Sequence, residues 1–218
     1  LGLEKHYADL FHMLAGHHID FDYGEEQIMA ENHRFSKEQE PLLHVGEASY
    51  RIVVVSGMLT MRETTYDILK TFLADGGKVI FAGELPAYLN GVPSESYREL
   101  LELGAVQVPL ALVSETIREM QKSMAGAEKI HVDAGGKVFL QTRQDDTAYT
   151  AVLLNTDAEH SADSITVHFC AGEGYQAQVW DPESGKRYVL PTTEEKNGIA
   201  VTVSLEAAGS MILGFTRD

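Results

Sequence analysis

The chain of 218 residues carries 33 acidic and 17 basic side chains, a formal net charge of −16, and 44% of its residues are hydrophobic. The hydrophobic fraction suffices for a packed core and is typical of a soluble globular protein, in one large domain or two modest ones. The negative field repels phosphate backbones and anionic lipids, so we expect neither nucleic-acid binding nor a membrane role. Cys170 is the only cysteine and cannot form an internal disulfide, which leaves the cellular compartment open.

The first predicted element is an amphipathic helix that begins almost at residue 1. Its apolar positions recur at helical spacing: Leu3, Tyr7, Leu10, Phe11 and Leu14. Ile19–Tyr23 then alternates apolar and acidic residues, which predicts a strand. Because an α/β unit normally starts on a strand, we expect a fragment, with a first strand, signal sequence and other domains encoded upstream.

The stretch Tyr50 to Gly83 predicts strand, helix and strand. Ile52–Val55 and Val79–Ala82 are uniformly apolar, as expected of parallel strands covered on both faces. Thr60, with Glu63 three residues later, predicts a capping box for the helix between them, and Asp75-Gly76-Gly77 predicts its end. The turn after the first strand has one glycine where phosphate-binding fingerprints have several, so we expect no nucleotide cofactor.

Further elements extend this alternation of helix and strand. They are a short strand at Leu42–Val45, a helix from about Ser94 to Leu103, a strand at Ala105–Val108 and a helix from about Val113 to Ala125. Such alternation predicts a three-layer α/β domain, which we assign to residues 1–126.

Residues 127–218 contain strand patterns and turn signals but no helix pattern. The predicted strands are Lys137–Thr142, Tyr149–Asn155, Ser164–Cys170, Gln176–Trp180, Arg187–Leu190, Ile199–Leu205 and Ser210–Phe215. Period two is clear in Ile165, Val167 and Phe169, which share one face, and Asp181 to Gly185 has the residues of a hairpin turn. The spacing predicts an all-β antiparallel sandwich.

Asp22 and Glu84 are candidate ligand-binding carboxylates. Asp20 and Asp22 would lie about 7 Å apart on one face of a strand, a separation that suits an inverting glycosidase pair. The alternative, which we favour, is the acidic solvent face of an edge strand. Glu84 follows a buried strand at the end of the sheet where α/β proteins bind ligands, and the alternative for it is a solvated or helix-capping role.

Trp180 is the aromatic candidate for ligand binding, by stacking on sugar rings, and covering the sandwich rim is the alternative. His12, His17 and His18 lack the spacing of four that ligands on one helix face need, so we expect no metal site and assign them to the helix C-terminus. His168 and Cys170 share a strand face but lack an oxyanion hole, and we interpret them as packing residues.

The runs LLHVGEASYRIVVVSGMLTM and TTYDILKTFLADGGKVIFAG resemble the flavodoxin-like accessory domain of multidomain glycoside hydrolases, the trimerisation domain of β-galactosidases and the matching segment of α-L-rhamnosidase-type enzymes. HHIDFDYG fits the second strand of that pattern. Three later segments resemble the small β-sandwich that follows in such enzymes, namely AVLLNTD, WDPESGKRY and AAGSMILGF. The fold is also distantly similar to class I glutamine amidotransferases, but Phe81-Ala82-Gly83-Glu84 lacks their cysteine nucleophile, which excludes that activity.

The resemblance implies that the catalytic carboxylates lie on a separate domain and that this chain holds no catalytic residue. Our leading hypothesis is therefore a non-catalytic, C-terminal accessory portion of a glycoside hydrolase, partnered by other domains of the same polypeptide or by further copies of itself. Two alternatives remain open. One is a carbohydrate-binding module that uses Trp180, Tyr175 or Tyr188; the other is a stand-alone hydrolase with Asp20, Asp22 or Glu84 at the sheet crevice.

Overall fold

The structure is a computed structural model, and it describes residues 2–37, 39–124 and 129–217. The chain divides into two compact units: unit 1 comprises Leu1–Phe11 with Asp22–Ala127, and unit 2 comprises His12–Phe21 with Glu128–Asp218. The sequence assigned residues 12–21 to the α/β part, whereas in the structure they make their contacts within unit 2. The predicted boundary at 126 and 127 lies outside the described residues.

In the described part of the chain, the helices lie within residues 2–124. They are α1 (Gly2–Gly16), α2 (Glu26–Asn32), α3 (Glu63–Ala74), α4 (Tyr97–Glu102) and α5 (Val113–Gln121), with one 3₁₀ turn at Leu110–Leu112 before α5. The predicted end of α4 at about Leu103 is confirmed within one residue, whereas its predicted start at about Ser94 was three residues too early. The predicted end of α5 at about residue 125 was too late, since the helix ends at Gln121, and residue 125 itself is not described. None of the described helices is long and apolar enough to cross a membrane.

Unit 1 is mixed α/β and contains nine strands in its described part. They are β1 (His33–Lys37), β2 (Pro41–Val45), β3 (Ala48–Tyr50), β4 (Ile52–Ser56), β5 (Thr60–Met61), β6 (Lys78–Ala82), β7 (Tyr88–Leu89), β8 (Val92–Pro93) and β9 (Val106–Val108). These strands form three small sheets, in the orders β1-β2-β3, β4-β6-β9 and β5-β7-β8.

The sheet β4-β6-β9 is parallel, as the sequence predicted for its first two strands. In the central strand, β6, the side chains from Val79 to Ala82 are completely buried. The edge strand β4 is only partly buried along its length, so the prediction that both of its faces are covered was wrong. β4 lies at the edge of this sheet and has a neighbouring strand on one side only. A strand on its other side, with the helix that connects it, would have covered more of its surface.

Helix α3 lies between β4 and β6 in the chain. The sequence predicted its C-terminal end correctly but not its N-terminal end. At the C-terminus the N–H groups of Gly76 and Gly77 donate to the carbonyls of Leu73 and Phe72, both at 2.8 Å, and Gly76 takes a φ of +92°. The predicted left-handed helix end is therefore confirmed at Gly76, and the two hydrogen bonds make it a Schellman motif. At the N-terminus the predicted capping box is absent, because Thr60 lies in strand β5 and Arg62 is the N-cap residue.

The segment between α1 and β2 was the least well predicted. Residues 19–25 form no strand, so the prediction of a strand at Ile19–Tyr23 was wrong. Residues 26–37, which show little pattern in sequence, form α2 and β1. Glu25 caps α2 by accepting a hydrogen bond from the N–H of Ile28 at 2.8 Å.

Unit 2 contains two antiparallel sheets, as predicted for a sandwich. Its strands are β10 (Ile130–Asp133), β11 (Val138–Gln144), β12 (Ala148–Asn155), β13 (Ala162–Phe169), β14 (Tyr175–Trp180), β15 (Arg187–Val189), β16 (Thr193–Glu195), β17 (Gly198–Leu205) and β18 (Ser210–Arg217). One sheet has the order β10-β13-β17-β16 and the other β11-β12-β18-β14-β15.

The core of unit 2 follows the period-two pattern of its strands. Ile165, Val167 and Phe169 on β13 are buried, while Thr166 and His168 between them point to the other face. Phe169 is the centre of an aromatic cluster, with ring centroids 4.5 Å from Phe215, 4.8 Å from Tyr175 and 5.1 Å from Tyr149. The alternation of the sequence therefore identified the buried faces correctly.

Candidate functional site

Asp20 and Asp22 do not form the pair that the sequence suggested, because no strand holds them on a common face. Asp20 belongs to unit 2, where its carboxylate lies 3.0 Å from the guanidinium of Arg143. Asp22 belongs to unit 1, where it accepts a hydrogen bond from the hydroxyl of Tyr50 at 2.9 Å. Each carboxylate therefore has its own partner in its own unit.

The contact between Tyr50 and Asp22 affects the ionisation of the phenol. Burial raises the pKa of Tyr50, and the hydrogen bond to Asp22 and the nearby negative charge raise it further, to about 12. Tyr50 is consequently a neutral hydrogen-bond donor at physiological pH, and it holds one carboxylate oxygen of Asp22, Oδ2. Asp22 itself is exposed, so its other oxygen can accept hydrogen bonds from a ligand.

Tyr23, the next residue, stacks on Tyr7 of helix α1. The ring centroids are 4.8 Å apart, the planes are inclined by 20°, and each side chain is 53% exposed. Burial and a hydrogen bond with Tyr7 raise the pKa of Tyr23 to about 12. The sequence placed Tyr7 in the apolar stripe of the helix together with Leu3, but both residues are among the exposed hydrophobics. The result is a pair of parallel aromatic rings on the surface of unit 1, beside Asp22.

Glu84 lies where the sequence placed it, directly after β6 at the carboxyl end of the parallel sheet, and its side chain is exposed. The adjacent Gly83 and the corresponding Gly57 after β4 both have positive φ, and the imidazole of His6 packs against both glycines. The Nε2 atom of His6 and the Oγ atom of Ser56 are buried without a hydrogen-bond partner among the described residues. His6 therefore packs against the carboxyl ends of β4 and β6, and Glu84 is exposed beside it in sequence order after Gly83.

Trp180 lies on the outer face of the sheet, as its position in the strand alternation suggested, but it is covered. A Cβ atom built on Gly214 would come within 2.2 Å of the indole Cε2 atom, so the ring rests on the glycine backbone of β18. The guanidinium of Arg187 lies over the ring at 4.4 Å from its centroid. Both contacts occupy surface that a stacked sugar would need.

The histidines singled out in the sequence are engaged in contacts with the protein. His17 Nδ1 lies 2.7 Å from the carbonyl of Met13, and His18 Nε2 lies 2.8 Å from the carbonyl of Val138. His12 lies near the ring of Phe139, with centroids 6.5 Å apart. In the described part of the chain, no group of three or more histidine, cysteine, aspartate or glutamate side chains has a geometry that could hold a metal ion.

His168 contacts two carboxylates. Its Nδ1 lies 2.9 Å from Glu195 on β16 and its Nε2 lies 3.2 Å from Asp133 on β10. Burial lowers the pKa of His168, but the two carboxylates together outweigh that effect and leave the pKa raised. Cys170 directly follows the last residue of β13, and burial raises the pKa of its thiol, which favours the less reactive neutral form.

The tyrosines that surround Asp22 in unit 1 could not be identified from the sequence as its neighbours, although Asp22 itself was a candidate. Tyr50 is separated from Asp22 by 28 positions and Tyr7 from Tyr23 by 16, so only the tertiary structure brings them together. The one signal in the sequence was the presence of Tyr7 in the otherwise purely apolar stripe of helix α1, since tyrosine is often found at half-exposed positions.

Comparison with solved structures finds glycoside hydrolases. The chain is similar to the apo exo-carrageenase GH42 from Bacteroides ovatus (TM-score 0.62, 14% identity, 98% of this chain and 27% of that one). It is similar to a rhamnosidase from Novosphingobium sp. PP1Y (TM-score 0.64, 19% identity, 90% and 20%) and to a β-galactosidase from Bacillus circulans sp. alkalophilus (TM-score 0.59, 12% identity, 100% and 38%). No protein-family model matches the chain, and no curated protein matches it.

These similarities concern the fold, since the identities are low. The chain spans between 20% and 38% of the length of the three enzymes described above. The structural neighbours are therefore much longer glycoside hydrolases, of which this chain resembles one portion.

Proposed function

We propose that this chain is a non-catalytic accessory portion of a glycoside hydrolase, which supports the catalytic domain or mediates oligomerisation. The observation that carries the proposal is the asymmetry of coverage: nearly the whole chain is matched by about a quarter of the exo-carrageenase and a fifth of the rhamnosidase. A portion shared by enzymes with different substrates is better suited to a scaffolding role than to substrate-specific chemistry.

In this proposal the chain has two domains, with the boundary near residues 126 and 127. The first is a flavodoxin-like α/β domain built around the parallel sheet β4-β6-β9, and the second is the β-sandwich. The separate partners of Asp20 and Asp22 support a non-catalytic role, because a glycosidase pair must face a common space for the substrate.

The hypothesis of a binding module on the sandwich has less support from the contacts. Arg187 lies over Trp180, and the guanidinium of Arg217 lies over the ring of Tyr175 at 4.6 Å from its centroid. Tyr188, at 52% exposure, is the third aromatic of that hypothesis and is open to solvent. A single open ring offers less stacking surface than the module would need.

The proposal is tested first by activity. We expect the purified chain to hydrolyse no member of a panel of aryl glycosides, and the variants Asp22→Asn and Glu84→Gln to behave like the wild type. Turnover by the wild-type chain that either variant abolishes would overturn the proposal in favour of a stand-alone hydrolase.

The second test is the genomic reading frame. We expect the frame upstream of Leu1 to encode a catalytic domain with a pair of acidic residues, and co-purification of that domain with this one as a single polypeptide. A start codon directly before Leu1, with no glycoside hydrolase domain in the frame, would contradict the proposal.

A further inference from the structure

We propose that residues 16–20, which we call the strap, close the outer edge of strand β11 and prevent that edge from pairing with a strand of a second copy of the chain. The strap and β11 both belong to unit 2. The proposal concerns this one edge and does not depend on the glycoside hydrolase assignment.

In the described part of unit 2 the two sheets have four edge strands, and β11 differs from the other three. β10, β15 and β16 are four, three and three residues long, whereas β11 has seven. β10 carries Asp133 and β16 carries Glu194 and Glu195, while β11 contains no acidic residue and a single charge, Arg143. Short length and charge are means by which proteins keep edge strands from pairing. An open β11 edge would therefore accept a strand of a second copy.

The pairing of β11 with β12 defines which of its backbone groups point outward. The carbonyl of Lys137, directly before β11, accepts a hydrogen bond from the N–H of Thr156, directly after β12, at 2.8 Å. In an antiparallel pair the backbone groups of every second residue point to the same side, so those of the odd-numbered residues of β11 point to β12. The outer edge of β11 therefore presents the N–H and C=O groups of Val138, Leu140 and Thr142.

The strap bonds to two of these outward positions. The carbonyl of Val138 lies 2.8 Å from Nε2 of His18, which donates because a carbonyl only accepts. The N–H of Thr142 donates to Oδ2 of Asp20 at 3.4 Å, and the same oxygen lies 3.0 Å from the guanidinium of Arg143. The strap thus occupies backbone groups that a second strand would need, and it neutralises the single charge of β11.

The end of helix α1 holds the strap in place. The N–H groups of His18 and Ile19 donate to the carbonyls of Ala15 and Leu14 at 3.1 and 3.0 Å, which is a Schellman motif. Ile19 is buried, and His18 takes a φ of +56°, a conformation that favours glycine. The strained residue of the strap is thus the one whose imidazole bonds to β11, and strain of this kind is often retained at functional contacts.

The first experiment measures amide hydrogen exchange by NMR in the full chain. We expect the amide of Thr142 to exchange at least about five-fold faster in Asp20→Ala than in the wild type, because the variant removes its acceptor. Asp20→Asn retains an oxygen that can accept this bond and should keep the slow exchange. Asp22→Ala is the matched control, since it removes the same charge from a carboxylate that is bonded to Tyr50 in unit 1, and it should leave the rate unchanged.

The second experiment measures self-association by sedimentation velocity over roughly a hundred-fold range of protein concentration. The variant combines Asp20→Ala with His18→Gly, which removes both side-chain bonds to β11 while glycine suits the left-handed helix end. We expect this double variant to associate at least about ten-fold more tightly than the wild type and Asp22→Ala, because two open edges can then exchange backbone hydrogen bonds. An unchanged emission maximum of Trp180 verifies that unit 2 remains folded.

A third substitution assigns the association to β11. Gln141 is exposed on this strand, so Gln141→Lys adds a charge to the open edge, as natural edge strands often do. Added to the double variant, Gln141→Lys should return self-association to the wild-type level.

Three outcomes would overturn the proposal. The first is an exchange rate of the Thr142 amide that Asp20→Ala leaves unchanged, and the second is a double variant that associates no more tightly than the wild type. The third is association that Gln141→Lys does not reduce, because a surface other than β11 would then be responsible. All three are distinguishable from failure of the accessory function, which is measured by glycoside turnover and by the reading frame.

Discussion

The contact between Gly214 and Trp180 allows a sharp test of the sandwich surface. In Gly214→Ala the new Cβ would lie 2.2 Å from Cε2 and 2.4 Å from both Cζ2 and Nε1 of the indole. Because non-bonded carbon atoms prefer about 3.5–4.0 Å, the ring must move away by roughly 1–2 Å. That movement breaks the 3.3 Å hydrogen bond from Nε1 to Gln178 and shifts the ring relative to Arg187.

The expected cost follows from three contributions. Overpacking costs about 1–3 kcal/mol, and loss of the cation–π contact at an exposed site costs about 0.5–1 kcal/mol. The smaller conformational freedom of alanine in the unfolded chain offsets about 0.4–1 kcal/mol. We therefore expect a net destabilisation of about 0.5–3.5 kcal/mol, centred near 2 kcal/mol, which at an m-value of about 2 kcal/mol/M lowers the urea midpoint by roughly 0.3–1.8 M.

The assay is intrinsic fluorescence, since Trp180 is the only tryptophan in the chain. We expect the emission of Gly214→Ala to shift to longer wavelength as the indole is displaced toward water, together with the lower midpoint. Gly135→Ala is the control, because a Cβ there meets no atom within 4 Å. A variant at 214 with the emission maximum and urea midpoint of the wild type would refute the inference that the ring rests on the glycine.

Three further expectations concern stability. His168 has a higher pKa in the folded protein than its value of about 6.5 in the unfolded chain, so its protonation stabilises the fold at pH values below 6.5, and this stabilisation is lost as the pH rises through the folded pKa. We therefore expect His168→Gln to cost more stability at pH 5.5 than at pH 8. Equal costs in urea titrations at the two pH values would contradict this. Phe169→Ala should lower the free energy of unfolding by about 3–5 kcal/mol, measured by Trp180 fluorescence in urea. The control Leu154→Ala, at a residue that is 41% exposed, should cost less than about 1 kcal/mol, and similar losses for the two variants would disprove the central position of Phe169. Gly76→Ala should lower stability by about 1–2 kcal/mol because its φ is +92°, and a neutral effect in thermal unfolding monitored by circular dichroism would argue against the left-handed helix end.

The strands of unit 2 show which features the sequence predicted well. The alternation in Ile165, Val167 and Phe169 identified the buried face, since a residue that points into a core must be apolar whichever strand lies beside it. Strand order was not predictable in this way. The pairing of β18 with both β12 and β14 depends on hydrogen bonds between segments far apart in sequence, which leave no local signal.

The segment from Ile19 to Tyr23 shows the opposite case. Its alternation of apolar and acidic residues is real, but no neighbouring strand pairs with it, and Asp20 and Asp22 contact partners in different units. An alternating pattern indicates that successive side chains lie in different environments. A β-strand is only one of the conformations that place them so. The prediction failed because the surroundings are set by distant parts of the chain.

By itself, the sequence determined the acidic character, the parallel strands flanking α3, the left-handed glycine end of that helix and the apolar faces of the sandwich. All of these follow from local conformational preference and from the period of hydrophobic residues. Only the tertiary structure decided that Tyr7 and Tyr23 stack on the surface, that Tyr50 orients Asp22, and that Gly214 and Arg187 cover Trp180. These contacts join residues many positions apart, and their geometry exists only once the chain has folded.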